Sequence, residues 1–139
     1  MRIEFEQGPM SPSEQSLVSE GFRAHSAENN GPAYRKQQAR WLVFDEQGSL
    51  RGVLAADILW DWVYVDELWI SKESRGNGIG RQLMQRAEQF ASSEGLQGIW
   101  LWTQSWQAEG FYKRLGYREF TRFDNFPRGY ARIGFRKTL

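Results

Sequence analysis

The chain has no cysteine, four prolines and a single histidine in 139 residues. Without cysteine there is no disulfide framework, no cysteine-based zinc or redox centre and no thiol to carry an acyl group. No metal site is expected. No apolar run approaches the roughly 18–20 residues of a membrane span, so no membrane association is expected. A large net charge is also missing. The formal balance is +1, which excludes a whole-chain polycation built for nucleic acid. What the chain has instead is aromatic mass: 15% of its residues, with seven tryptophans and nine phenylalanines. Such a composition is incompatible with disorder. Its length suits one domain, residues 1–139, that buries a core without covalent staples. Six of the seven tryptophans fall between Trp60 and Trp106, a clustering that needs a reason.

Charge is unevenly spread. From Phe111 to Leu139 there are eight basic and two acidic residues. From Gly52 to Ser71 there are four acids (Asp57, Asp61, Asp66, Glu67) and no base. Two solvated faces would explain this, and so would an anion-seeking and a cation-seeking region on one small protein.

The pattern along the chain reads as a series of elements. Arg2 to Glu6 alternates polar and apolar residues and carries acids, so it reads as a first strand rather than a secretion signal. A cytoplasmic protein is the expectation. Ser11 or Ser13 can cap a helix running to about Ala24. Trp41–Phe44 and Leu50–Leu59 flank the turn Asp45-Glu46-Gln47-Gly48 as a hairpin, and Trp62–Ile70 follows as a third strand of that meander. Ile79, Leu83, Ala87, Phe90 and Ala91 then form one helical stripe, which Gly95 ends. A buried strand at Ile99–Trp102, a short helix at Ala108–Leu115 and strands near Tyr117–Phe123 and Tyr130–Arg136 complete the order. The class is α+β with a mixed sheet, ordered β-α-βββ-α-β-α-ββ.

Between the third meander strand and the helix stripe lies Arg75-Gly76-Asn77-Gly78-Ile79-Gly80. Such a loop offers bare backbone N–H groups at a helix N-terminus, where the dipole also favours an anion. No Gly-Lys-Ser/Thr follows, so it is not a Walker loop. Its G-x-G-x-G spacing lacks the G-x-G-x-x-G of a dinucleotide fold, and no acidic residue ends the next strand. Alternating glycines flanked by Arg75 and Arg81 at a strand-to-helix junction favour a diphosphate.

The Arg-x-x-Gly-x-Gly pattern after Val-Asp-Glu-Leu-Trp-Ile resembles motif A of the GNAT (Gcn5-related) N-acetyltransferases. Ala108-Glu109-Gly110-Phe111-Tyr112-Lys113-Arg114-Leu115-Gly116-Tyr117 is similar to that family's motif B, about thirty residues downstream. The element order matches too, so the resemblance spans nearly the whole chain. It implies a GNAT fold with a V-shaped opening between the fourth and fifth strands, those holding Trp62–Ile70 and Gly98–Thr103. It further implies that Arg75, Gly76, Asn77, Gly78, Ile79, Gly80 and Arg81 hold the pyrophosphate of acetyl-CoA. Leu68, Trp69 and Ile70 would pair with pantetheine as an added strand, with Phe111 alongside. Where the family often has a side-chain amide, seven residues before the motif B tyrosine, this chain has Ser105, so Ser105 or Gln107 would make that contact. Tyr112 matches the tyrosine that protonates the departing CoA thiolate.

The acceptor amine arrives protonated, since its reference pKa is near 10.4, and needs a base. Strand alternation puts Tyr64 and Asp66 on one face and Glu67 on the other, making Asp66 the first candidate and Glu67 the second. The acidic stretch suggests a small cationic amine, with a protein amine as the other acceptor class. Trp62, Trp102 or Trp106 would wall the acceptor pocket, gaining cation–π attraction. His25, near Glu28 and Asn30 beyond the first helix, is a substrate-side candidate against a plain surface role. The function expected is direct acetyl transfer to a primary amine in a ternary complex. The rival is a non-catalytic acyl-CoA-binding module of the same fold, and a homodimer is compatible with the family. A nucleic-acid binder using the basic C-terminal segment lacks any recognised motif.

Overall fold

A computed structural model describes residues 1–139, which form two compact units, 1–35 and 36–139. In the first unit, Ser11 opens a helix, α1 (Pro12–Glu28), through a reciprocal capping box. The Ser11 hydroxyl accepts from the Glu14 amide at 3.3 Å, and the Glu14 carboxylate accepts from the Ser11 amide at 2.6 Å. The helix outruns the sequence expectation by four residues, because no breaker stands before Asn29 and Asn30. Asn30 takes a left-handed φ of 56°, and the Asn29 side chain donates to the His25 carbonyl. The strand expected at Arg2–Glu6 does not form. Alternation supplies a face, but a strand also needs a neighbour to accept its backbone hydrogen bonds, and this segment has none.

The second unit is built on one six-stranded sheet. Strands β1 (Lys36–Phe44), β2 (Leu50–Leu59) and β3 (Trp62–Ile70) form the antiparallel meander. After a 3-10 turn at Lys72–Ser74, helix α2 (Ile79–Ser93) crosses over to β4 (Gly98–Gln104), which runs parallel to β3. A short helix, α3 (Glu109–Arg114), leads to β5 (Arg118–Asp124) and β6 (Ala131–Thr138). The spatial order is β1-β2-β3-β4-β6-β5. Apart from the missing first strand, the order is the one expected. Strand β1 begins earlier than its apolar run, since pairing with β2 carries the polar segment Lys36–Arg40 into the ladder. No helix is long and apolar enough to cross a membrane.

One sheet face is the core. Leu54, Val63, Ile99, Leu101, Ile133 and Phe135 point into it and are fully buried. The α2 stripe covers them with Leu83, Met84, Ala87 and Ala91. By the usual scale each of the larger of these side chains contributes about 1.5–3 kcal/mol. From α3 and its end, Tyr112 and Tyr117 join the same core, with ring centroids 6.0 Å apart. The Tyr117 hydroxyl and the Lys137 ammonium each meet Glu88 at 3.1 Å, so the polar atoms of this corner are satisfied.

Two features of β3 position everything that follows. Its pairing with β4 runs only from Trp62 opposite Gly98 to Val65 opposite Leu101. Beyond that point β3 keeps β2, β4 keeps β6, and the two parallel strands part. At the parting, β3 bulges: Val65 faces Ala56 and Glu67 faces Ala55, leaving Asp66 as the extra residue. The closed end is held by Gly98. A Cβ there would stand 2.3 Å from the Lys137 carbonyl oxygen and 2.7 Å from the Trp62 ring. Gly98→Ala should therefore cost about 3 kcal/mol, the upper part of the range for overpacking, measured as a lowered urea midpoint. An unchanged midpoint would mean that this end of the sheet is not closely packed.

Candidate active site

The glycine loop begins where β3 ends. Ser71 is buried, and its hydroxyl donates to the Ser74 hydroxyl at 2.9 Å. The Arg75 side chain turns back, its Nε donating to the Ile70 carbonyl at 3.2 Å. Gly76 and Gly78 have φ of 78° and 77°, a left-handed backbone that a Cβ disfavours. Gly78 is the N-cap of α2, and the first intrahelical bond runs from the Gln82 amide to its carbonyl. The amides of Ile79, Gly80 and Arg81 are the orphan donors of the helix start. Gly80 is tightly packed instead: a Cβ there would stand 3.3 Å from the Phe111 ring, which would have to give by a few tenths of an ångström.

These parts border one cleft of about 510 Å3, which opens where β3 leaves β4. Leu68, Trp69 and Ile70 form one wall, and Arg75, Gly76, Ile79 and Gly80 the loop end. Gln107, Phe111 and Tyr112 close the other side. Tyr112 is 6% exposed, and burial alone pushes its phenol up to about 12. It therefore stays protonated at neutral pH, as a proton donor must.

The other face of the sheet carries no core cluster. Tyr64 stacks on Trp100 with ring centroids 4.4 Å apart, and Trp100 and Trp102 each lie 6.3 Å from Phe120. Gly134, opposite Trp102, makes room for this layer, since a Cβ there would meet the Phe120 ring at 3.0 Å. Burial raises the Tyr64 phenol, the negative charge of Asp66 adds to that, and Arg132 opposes it. Asp66 and Asp57 also border a smaller recess of about 220 Å3 with Gln38 and Arg40.

Most residues expected at the site come together, and several do not. Leu68, Trp69, Ile70, Arg75, Gly76, Ile79, Gly80, Gln107, Phe111 and Tyr112 share the cleft. Asn77 and Gly78 belong to the same loop, where the Asn77 amide donates to the Ser74 carbonyl. Arg81 instead borders a separate groove with Glu88, Arg114 and Lys137. Ser105 ties β4 to β6: its amide donates to the Ala131 carbonyl at 2.8 Å, and its hydroxyl accepts from the Ala131 amide at 3.1 Å. Gln107 thus borders the cleft and Ser105 does not. Trp62 packs over Gly98 at the closed end of the pairing. Trp102 belongs to the aromatic face, and exposed Trp106 meets Tyr130 edge-on at 4.9 Å. His25 sits in the last turn of α1, in the first unit.

The bulge changes the face assignment on β3. Glu67 faces Ala55 as Tyr64 faces Asp57, so Glu67 lies on the Tyr64 side, against the simple alternation. Trp100, Phe120 and Arg132 are not among the site residues that the sequence predicts. Their only signal was that they alternate with buried residues along β4 and β6, and for Phe120 not even that.

Comparison with known proteins agrees with this fold. A family model described as "Acetyltransferase (GNAT) family" matches residues 6–117. The blasticidin-S acetyltransferase of Streptomyces morookaense is 41% identical over 85 residues, which is 60% of this chain and 62% of that protein. The match therefore spans less than two thirds of that relative's length. An acetyltransferase from Bacillus cereus superposes with a TM-score of 0.83 at 25% identity, covering 99% of this chain and 98% of that one. A Bacillus anthracis protein assigned as a streptothricin acetyltransferase, solved in complex with acetyl coenzyme A, superposes with a TM-score of 0.67 at 21% identity. That match covers 73% of this chain and 62% of the other.

Proposed function

This chain belongs to the acetyltransferase (GNAT) family, and from that premise we propose that it moves an acetyl group from acetyl-CoA to a primary amine. The observation that carries the reading is the parting of β3 and β4. It sets the glycine loop at one end of a single cleft and the buried Tyr112 phenol in its wall. The residues fit the co-substrate on their own terms. Orphan amides at the start of α2 suit a diphosphate. Gly80 keeps the loop clear of a Cβ that Phe111 would otherwise meet. The Leu68–Ile70 stretch has lost its β4 partner, which leaves one strand edge free for an extended amide-bearing chain.

In the proposed reaction the amine, once neutral, attacks the thioester carbonyl. Asp66 is the first candidate to take its proton and Glu67 the second, both at the bulge. A backbone amide of the parted strand polarises the carbonyl. Tyr112 gives its proton to the leaving sulfur as the carbonyl re-forms and the C–S bond breaks, and the proton then shed by the acylated nitrogen returns through solvent to the phenolate. The chain has no cysteine, which supports direct transfer within a ternary complex. The acids Asp57 and Asp66 beside the aromatic face, and a relative named for an antibiotic, support a small cationic amine as acceptor. The working compartment that fits this co-substrate is the cytoplasm.

A thiol-release assay over a panel of amines tests this. The expected result is amine-dependent release of free thiol, with intersecting initial-velocity lines when both substrates are varied. Tight acetyl-CoA binding without release for any amine would favour the non-catalytic module.

A further inference from the structure

Arg132 lies over two aromatic rings of the second unit. It lies on β6 opposite Gln104, the last residue of β4, on the aromatic face and beyond the point where β3 and β4 part. Its guanidinium carbon is 4.7 Å from the centre of the Trp102 ring and 5.6 Å from that of Phe126. The Gln104 side-chain amide, oriented as its neighbours require, donates to the Phe126 and Ala131 carbonyls at 3.1 Å, which anchors this loop. The residue is half-buried, yet the ion pairs of the protein engage Arg2, Lys36, Arg51, Lys113, Arg122 and Lys137, and not Arg132. Asp57, whose charge also acts on Tyr64, is committed to Lys36 at 3.3 Å.

Aromatic contacts hold a guanidinium by its plane, and the Tyr64 hydroxyl takes one of the Arg132 N–H groups, so that the rest of its N–H edge stays available. That edge is a rigid fork matched to a carboxylate, and removing it from water without an anion is costly. We propose that Arg132 is the carboxylate anchor of the acceptor site, so that the acceptor carries a carboxylate as well as its amine. This rests on the acetyltransferase reading and narrows its substrate class. On this face Arg132 takes the anionic end, and Asp66 attracts the cationic end. The aromatic layer of Tyr64, Trp100 and Trp102 lies under what joins them.

The test uses the whole chain and a series of α,ω-amino carboxylates of differing length, each paired with its primary amide. Binding is read from tryptophan fluorescence, since Trp102 lies under the guanidinium, and turnover from thiol release. The expected result is that the best carboxylate binds roughly ten- to a hundredfold more tightly than its amide, the worth of a charge-assisted contact. Arg132→Ala should erase that ratio while leaving the amide and acetyl-CoA affinities unchanged. Arg132→Lys should restore part of it, keeping charge without the fork. Equal affinity for every pair, a ratio that survives in Arg132→Ala, or a loss shared with acetyl-CoA would overturn the proposal. Turnover of amides and carboxylates alike would sink this inference alone, whereas a wild-type protein that binds no acetyl-CoA would sink the acetyltransferase reading itself.

Discussion

Gly78→Glu should weaken acetyl-CoA binding about a hundredfold or more, because a carboxylate set against a diphosphate costs several kcal/mol. The position allows a clean experiment. A Cβ at Gly78 meets nothing within 4 Å, so the first side-chain carbon has room. It does bring the left-handed backbone penalty, since φ is 77° there, worth about 1–2 kcal/mol of stability. Gly78→Ala carries the same backbone penalty without the charge and serves as the control. Calorimetric titration of both variants separates the two effects: similar stability losses, but a large affinity loss only for glutamate. If glutamate binds acetyl-CoA as well as alanine does, the loop is not the diphosphate site.

Tyr112→Phe should lower kcat by about two to four orders of magnitude, the usual worth of a positioned proton donor, with both KM values nearly unchanged. The phenol lies among Phe111, Tyr117 and Phe135, so phenylalanine fills the same volume and folding is preserved. The pH dependence has a definite sign. Burial raises the Tyr112 pKa to about 12, so the donor form persists well past neutrality. An alkaline fall in kcat at about pH 8–9 therefore reports another group, and raising the pH toward the Tyr112 range should cost the wild type its Tyr112 contribution. A Tyr112→Phe enzyme with near-native kcat would move the proton to a different donor.

Much of this arrangement was legible in the residues. The helix stripe of α2, the meander strands and the Arg75–Gly80 loop each carry a local signal, either a period or a turn chemistry, and local signals survive folding. What was lost lies in relations between strands. Nothing in Val65-Asp66-Glu67-Leu68 marks a bulge, because the extra residue is defined only against Ala55 and Ala56 on β2. One unpaired residue then moves Glu67 to the opposite face from the one alternation predicts. Trp62 reads as a pocket wall because alternation puts it on the face of Tyr64 and Asp66, and pairing with Gly98 sets it at the closed end of that face. Ser105 fell at the spacing of a cofactor ligand, but its hydroxyl serves the β4–β6 seam. Arg132 becomes visible only once β6 is registered against β4 and its guanidinium is seen against Trp102. The tryptophans, first noticed as a cluster, thus divide into separate roles: Trp62 packs the closed end, Trp69 borders the cleft, and Trp100 and Trp102 build the outer aromatic face.

In the proposed reaction the parted strands receive acetyl-CoA with its sulfur at Tyr112, and a crystal structure grown with coenzyme A would show it. The pyrophosphate should lie on the amides of residues 76–81, pantetheine along Leu68–Ile70, and the sulfur within hydrogen-bonding reach of the Tyr112 hydroxyl. Coenzyme A bound elsewhere, or a sulfur remote from Tyr112 with the cleft empty, would contradict it.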